Sequence, residues 1–255
     1  VCVNYVPTRR SRYAEHFQTE LPFGEWPDET YRDYPAPIIR RGADGGRESL
    51  VGTFGMKPRK RIPPHVRDFD TMNARSETVG SKPNFAKFWS ACQFCLVPAE
   101  SVFEPRYPPL PDLDVPNRDE LIKAVLKQKS ERWAISLADG APLAVAGLWR
   151  AWDEPEGGIS HSFTMLTVNA DQHPLLRQFH KHLKPDGTPN EKRGVVILRP
   201  DQYDDWLACR DPEVARTFLS LLPPESLAVA PAPKAPRRRS VDAETPVEHG
   251  EDSLF

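Results

Sequence analysis

An α+β fold is predicted for this 255-residue chain by three observations. Short apolar runs with strand character are frequent, helix signals are few and short, and the two kinds do not alternate as they would in a doubly wound α/β sheet. The 28 prolines, more than twice the usual share, also disfavour long uninterrupted helices. Strand candidates come first at residues 37–39 (Pro-Ile-Ile) and 50–54 (Leu-Val-Gly-Thr-Phe). Residues 119–127 follow as a helix candidate. Residues 133–137, 143–149 and 161–168 are predicted strands, 172–179 a helix and 195–198 (Val-Val-Ile-Leu) a further strand. Residues 200–207 read as a helix opened by Pro200 and carrying Tyr203, Trp206 and Leu207. Asp211-Pro212-Glu213 supplies an N-cap, a first-turn proline and a first-turn acid, with Val214, Phe218 and Leu221 at helical spacing behind them.

Composition narrows the function classes. Hydrophobic residues make up 39 % and charged residues 27 %, with a net charge of −2, as in an ordinary globular protein. No run approaches the ~18 consecutive apolar residues of a membrane span. The first residues, Val-Cys-Val-Asn-Tyr, lack the basic and apolar regions of a signal peptide. With four cysteines and no secretion signal, a disulfide framework is not expected, and the reading is a cytoplasmic, monomeric protein without a membrane partner. Residues 224–255 are rich in Pro, Ala and charge, include Arg237-Arg238-Arg239, and hold few aliphatics; they are expected to be a disordered tail. That leaves residues 1–223 as one domain with 30 basic and 30 acidic residues, so affinity for a polyanion must come from a local patch.

Cys2 is the most informative position. An internal cysteine is most often a small buried hydrophobe. If residue 1 is an initiator that is removed, Cys2 instead carries a free amine and a thiol on one Cα. Their reference pKa values, roughly 7.7–8.0 and ~8.5, leave both nucleophiles partly available near neutrality. Such a 1,2-aminothiol takes an aldehyde as a Schiff base and closes it to a thiazolidine. Cys92-Gln93-Phe94-Cys95 has the spacing of half a zinc site, but no second pair exists and no metal or cofactor is expected.

The chain resembles the SRAP family, the SOS response-associated peptidases or abasic-site processing proteins. The matching residues occur in order: Cys2; Phe54-Gly55-Met56-Lys57-Pro58; Asn73-Ala74-Arg75-Ser76-Glu77-Thr78; Cys95-Leu96-Val97-Pro98-Ala99-Glu100 with Phe103-Glu104; Ala146-Gly147-Leu148-Trp149; Val168-Asn169-Ala170 with His180; and Tyr203-Asp204-Asp205-Trp206-Leu207. The resemblance implies a mainly antiparallel sheet curled into a barrel-like core with short helices around it. It implies a partner, single-stranded DNA containing abasic sites, and a reaction in which Cys2 attacks the ring-opened sugar aldehyde. Glu104 would shuttle protons, Asn73 would orient the amine or sugar, and His180, with an ordinary imidazole pKa near ~6.5, would serve the sugar oxygen. Arg75 would grip a phosphate, with an ion pair to Glu77 or a nearby acid as the alternative. Lys57, Arg59, Lys60 and Arg61 would track the strand, with Phe54 or Met56 as a stacking surface.

The sequence also departs from the family. Cys2-Val3-Asn4 stands for the usual Cys-Gly-Arg, Pro105 for a tryptophan, and His180-Lys181-His182-Leu183 for His-x-Arg-Met, with an insertion reaching Arg193. His182 is therefore a competitor of His180. Two other readings stay open: a peptidase that processes its own N-terminus, and a DNA-binding module without chemistry.

Overall fold

The computed structural model describes residues 3–234. The chain opens with β1 (Asn4–Pro7), α1 (Arg10–Phe17), β2 (Thr30–Tyr31), β3 (Pro35–Arg41) and β4 (Arg47–Phe54). It continues through β5 (Asn73–Arg75), α2 (Ala86–Ser90), the long β6 (Phe94–Arg106), α3 (Arg118–Leu126), β7 (Glu131–Leu137), β8 (Leu143–Asp153) and β9 (Ile159–Asn169). It ends with β10 (Arg193–Val195), β11 (Ile197–Leu198), α4 (Tyr203–Ala208), α5 (Pro212–Ala215) and β12 (Leu227–Pro231). No helix among the described residues is long and apolar enough to cross a membrane.

The predicted α+β class and barrel are what the structure shows. Strands pair in the circuit β8–β9–β4–β3–β6 and back to β8, a closed five-stranded barrel. All of these pairings are antiparallel except β4 with β9. Alternate residues of each strand point to opposite faces, so β3, β6, β8 and β9 feed two cores. Ile38, Phe54, Cys95, Val97, Val145, Phe163 and Met165 belong to one cluster. Ile39, Leu96, Ala146, Leu148 and Leu166 belong to the other, with α1, α2 and α4 laid over them through Tyr13, Phe17, Trp89 and Trp206. Gly147 is required by this closure: a Cβ there would lie 2.7 Å from the Thr164 carbonyl and 3.0 Å from Cys95 Sγ. Trp206 fastens α4 to β6, with its ring 4.3 Å from Phe94 and its indole N–H donating to the Cys95 carbonyl at 3.0 Å.

Several local expectations are revised. Residues 172–179 form only a 3₁₀ turn, Leu176–Gln178. Pro174 interrupts the segment, and His173 Nδ1 accepts from the amides of Leu175 and Leu176. The Asp211 cap is present, accepting from the Glu213 amide at 2.8 Å, but the helix passes after Ala215 into a 3₁₀ turn. The tail boundary at 224 is placed too early. Leu227–Pro231 pairs with β7 along its full length, because Leu227 and Val229 complete the apolar face around Ile135. Residues 235–255, including the Arg237 to Arg239 run, lie outside the described residues.

Candidate active site

β6 is buried near its start and carries Glu104 near its end, opposite Trp133 of β7. Glu104 is 4 % exposed and its surroundings are Val102, Ile135, Leu176, Phe179 and Val195. Gly194 lets β10 approach this wall, since a Cβ there would sit 2.7 Å from Leu221 and 2.9 Å from Leu176. An apolar wall penalises the ionised carboxylate. Burial accordingly raises the Glu104 pKa from 4.5 to about 7.

His180 reaches Glu104 from the other side. Phe179 bridges to Arg106 at the end of β6, and the His180 amide donates to the Pro105 carbonyl at 2.7 Å. The His180 backbone is left-handed, with φ 66°. Its Nε2 lies 3.2 Å from the Arg193 carbonyl and 3.4 Å from Glu104 Oε2. A carbonyl only accepts, so Nε2 carries the hydrogen. Burial, the main cause, lowers the His180 pKa from 6.5 to about 3. The expected near-neutral titration of His180 is thus corrected. Near pH 7 the imidazole is neutral, and Glu104 is the group poised to exchange a proton. The two side chains touch at 3.4 Å, and near pH 7 they do not meet as an ion pair, because neither charge keeps its hydration at this depth.

Around this pair the structure places the other expected residues unevenly. Asn73 opens β5, half-buried and opposite Met165 of β9. Arg75, two residues on, projects with its side chain 58 % exposed and pairs with Glu191 at 2.9 Å, so the acid beside it is Glu191 and not Glu77. His182 points elsewhere, its Nε2 3.0 Å from the Pro108 carbonyl. Cys2 lies outside the described residues.

Phe54 and Met56 cannot stack on a base, because both are fully buried, Phe54 against Tyr5 and Phe163. The basic run is a surface feature, but acids balance it. Arg59 pairs with Asp33 at 2.8 Å, while Arg61 and Lys60 share Glu154 at 2.5 and 3.7 Å. Lys57 lies half-buried beside the Phe69 ring. The aromatic face beside this run is Trp152 on β8, with Arg150 at 3.4 Å and Arg61 at 5.0 Å from its ring. Cys92 and Cys95 enter different cores, Cys92 the helix-covered one and Cys95 the barrel interior. Cys92 lies in the turn between α2 and β6, with φ 51°, and Cys95 in β6, so the spacing does not bring the two thiols to one site.

Two residues that the sequence reading did not single out organise the site. The Arg193 side chain is 2 % exposed, makes a two-pronged bond to Glu77 (both 2.9 Å), and also reaches Glu191 and the Thr167 carbonyl. Its backbone carbonyl meets His180. Lys192 precedes it and is buried. Neither lies in a motif, and an Asn-Glu-Lys-Arg-Gly stretch reads as a solvated loop.

The sequence profile described as "SOS response associated peptidase (SRAP)" matches residues 5–235. Two relatives in Bacillus subtilis (strain 168), the abasic site processing proteins YoqW and YobE, are each 26 % identical to this chain over 207 residues. The match covers 78 % of this chain, 76 % of YoqW and 78 % of YobE. Among solved structures, a protein from Bordetella bronchiseptica superposes with a TM-score of 0.70 at 32 % identity, covering 91 % of this chain and 99 % of that one. A Bacteroides thetaiotaomicron protein shares the fold, with a TM-score of 0.62 at 17 % identity over 89 % of this chain and 90 % of that one. A profile match from β1 to the end of β12, over a closed barrel with a glutamate and a histidine in contact at its rim, has one consequence: the chain belongs to the SRAP family.

Proposed function

We propose that this protein processes abasic sites in single-stranded DNA by forming a covalent thiazolidine between Cys2 and the ring-opened sugar aldehyde. The reaction needs Cys2 to be the first residue of the mature chain. Its α-amine adds to the C1′ aldehyde to give a carbinolamine, which loses water to leave an imine. The Cys2 sulfur then adds to the imine carbon and the nitrogen takes up the proton that the thiol gives up. One water leaves, no electron is transferred, and neither metal nor cofactor enters the balance. A carboxyl that titrates near pH 7 can protonate the departing hydroxyl and receive the thiol proton, which is the role given to Glu104. His180 acts as a neutral hydrogen-bond donor through Nε2, and Asn73 orients the amine or the sugar.

The observation that carries this reading is the register of β1 on β6. Tyr5 pairs with Val102 and Val6 with Ser101, antiparallel. Each step toward the beginning of β1 is therefore a step along β6 toward Glu104. The relatives named for abasic-site processing support the same substrate. Arg75, Lys57, Arg59, Lys60 and Arg61 supply phosphate contacts in this scheme, and Trp152 a stacking face. The protein acts as a monomer.

The test uses intact protein whose mass shows whether Cys2 is first, incubated with a single strand bearing one abasic site and run on a denaturing gel. A heat-stable shifted band, absent with undamaged DNA and absent for Cys2→Ser, is expected. A band that persists in Cys2→Ser, or retention only on a native gel, overturns the thiazolidine. Loss of N-terminal mass with time, independent of DNA, would point to self-processing peptidase chemistry instead.

A further inference from the structure

We propose that Lys192 is a positioning residue that clamps the turn at His180 and so keeps the imidazole against Glu104. This rests on the functional reading above for its consequence in catalysis, but its geometry stands independently. Left-handed backbone is disfavoured for a residue with a Cβ, and His180 holds φ 66°. Something must hold it there. The Lys192 ammonium donates to two successive carbonyls of that turn, His180 at 2.8 Å and Lys181 at 2.9 Å. One ammonium thus holds both carbonyls of the left-handed turn at once.

The clamp is itself fixed at the backbone. The Lys192 amide donates to Asp171 Oδ1 at 2.7 Å, and its carbonyl accepts from the Ala170 amide at 2.8 Å. Lys192 is 7 % exposed, and burial lowers its pKa to about 8, against which the Asp171 carboxylate helps retain the proton. A buried ammonium spent on carbonyl oxygens is an uncommon use of lysine, since the residue is rarely buried without a partner. The charged groups that act on the imidazole are the amino terminus of the chain, Glu104 from β6 and Lys192 from the segment entering β10, while Arg193 offers its backbone carbonyl. Lys192 and Arg193 thus grip the turn together, one by its ammonium and the other by its carbonyl.

The experiment follows the His180 ring by NMR in protein labelled with ¹³C-histidine, the resonance being assigned by its absence in His180→Asn. In wild type the ring is expected to stay neutral down to about pH 3. In Lys192→Met, which keeps side-chain length but donates nothing, the turn relaxes, the ring reaches solvent, and its midpoint rises toward 6.5, well beyond the small rise that loss of the Lys192 charge alone gives. Lys192→Arg retains charge and donors and is expected to hold the midpoint low. Lys192→Gln, with a single neutral donor group, lies between and serves if Lys192→Met does not fold. A folded Lys192→Met or Lys192→Gln with an unmoved His180 midpoint overturns the clamp. In the gel assay the Lys192→Met variant is expected to crosslink roughly tenfold or more slowly, as for a displaced reacting group. A moved midpoint together with a wild type that never crosslinks would keep the clamp and discard the thiazolidine, so the two failures are separable.

Discussion

Replacing Glu104 by glutamine separates two titrations that oppose each other in the wild-type protein. Burial raises the Glu104 pKa from 4.5 to about 7 and lowers that of His180 from 6.5 to about 3. The folded protein keeps the Glu104 proton to higher pH than the unfolded chain does. The stability tied to it is complete below pH 4.5 and is lost as the pH rises through about 7. The folded protein refuses a proton that unfolded His180 accepts. That contribution is complete above pH 6.5 and is lost as the pH falls toward about 3. Between pH 4.5 and 6.5 unfolding simply moves one proton from Glu104 to His180, so the two slopes cancel. Each pKa unit is worth about 1.4 kcal/mol, so across this window each group alone contributes about 3 kcal/mol. Glu104→Gln removes one slope. Relative to wild type the variant is expected to gain about 3 kcal/mol between pH 4.5 and 6.5. His180→Asn, an asparagine being tolerated at positive φ, is expected to gain a similar amount in the opposite direction, as the pH falls. Urea unfolding followed by tryptophan fluorescence at several pH values measures both, and differences to wild type cancel the other titrating groups. A Glu104→Gln difference that stays flat across the window would refute the assignment of buried, mutually neutral groups.

Three further outcomes are expected. Trp206→Ala opens a cavity between Phe94 and Phe218 and removes the indole hydrogen bond to the Cys95 carbonyl, which should cost about 3–5 kcal/mol in the same unfolding experiment. Truncation after residue 234 should leave the unfolding midpoint in place, whereas truncation after residue 226 removes β12 and the burial of Leu227, with a loss of at least about 2 kcal/mol; equal midpoints for the two would show that β12 adds nothing to the stability of the fold. Arg75→Ala should weaken binding of single-stranded DNA and lower its dependence on salt concentration in a filter or anisotropy titration, with no loss of stability beyond about 0.5 kcal/mol, because its described ion pair is half-exposed.

Much of the barrel was legible from local pattern. The runs at residues 37–39, 50–54, 133–137, 143–149 and 161–168 all fall inside strands, because strands that pack at least one face against a core must carry apolar side chains there. The longest strand, β6, escaped the pattern: Pro98 and Pro105 read as breakers, and Glu100, Ser101 and Glu104 interrupt its hydrophobicity. α1 escaped as well, having no capping side chain and no first-turn acid, with only Tyr13 and Phe17 buried. Phe54 and Met56 were misjudged for a related reason. A motif next to a basic run suggests an exposed aromatic, but strand alternation turned Phe54 into the barrel and left Trp152 beside the arginines.

The sequence alone named the candidates: a cysteine near the start, Asn73, Glu104 and His180. These are matters of residue type and order, which motifs record. Only the tertiary structure decided that His180 and not His182 meets Glu104, that burial exchanges their usual protonation, and that β12 joins the sheet through β7. Those properties depend on which distant segments exclude water from one another, and no stretch of chain carries that information by itself.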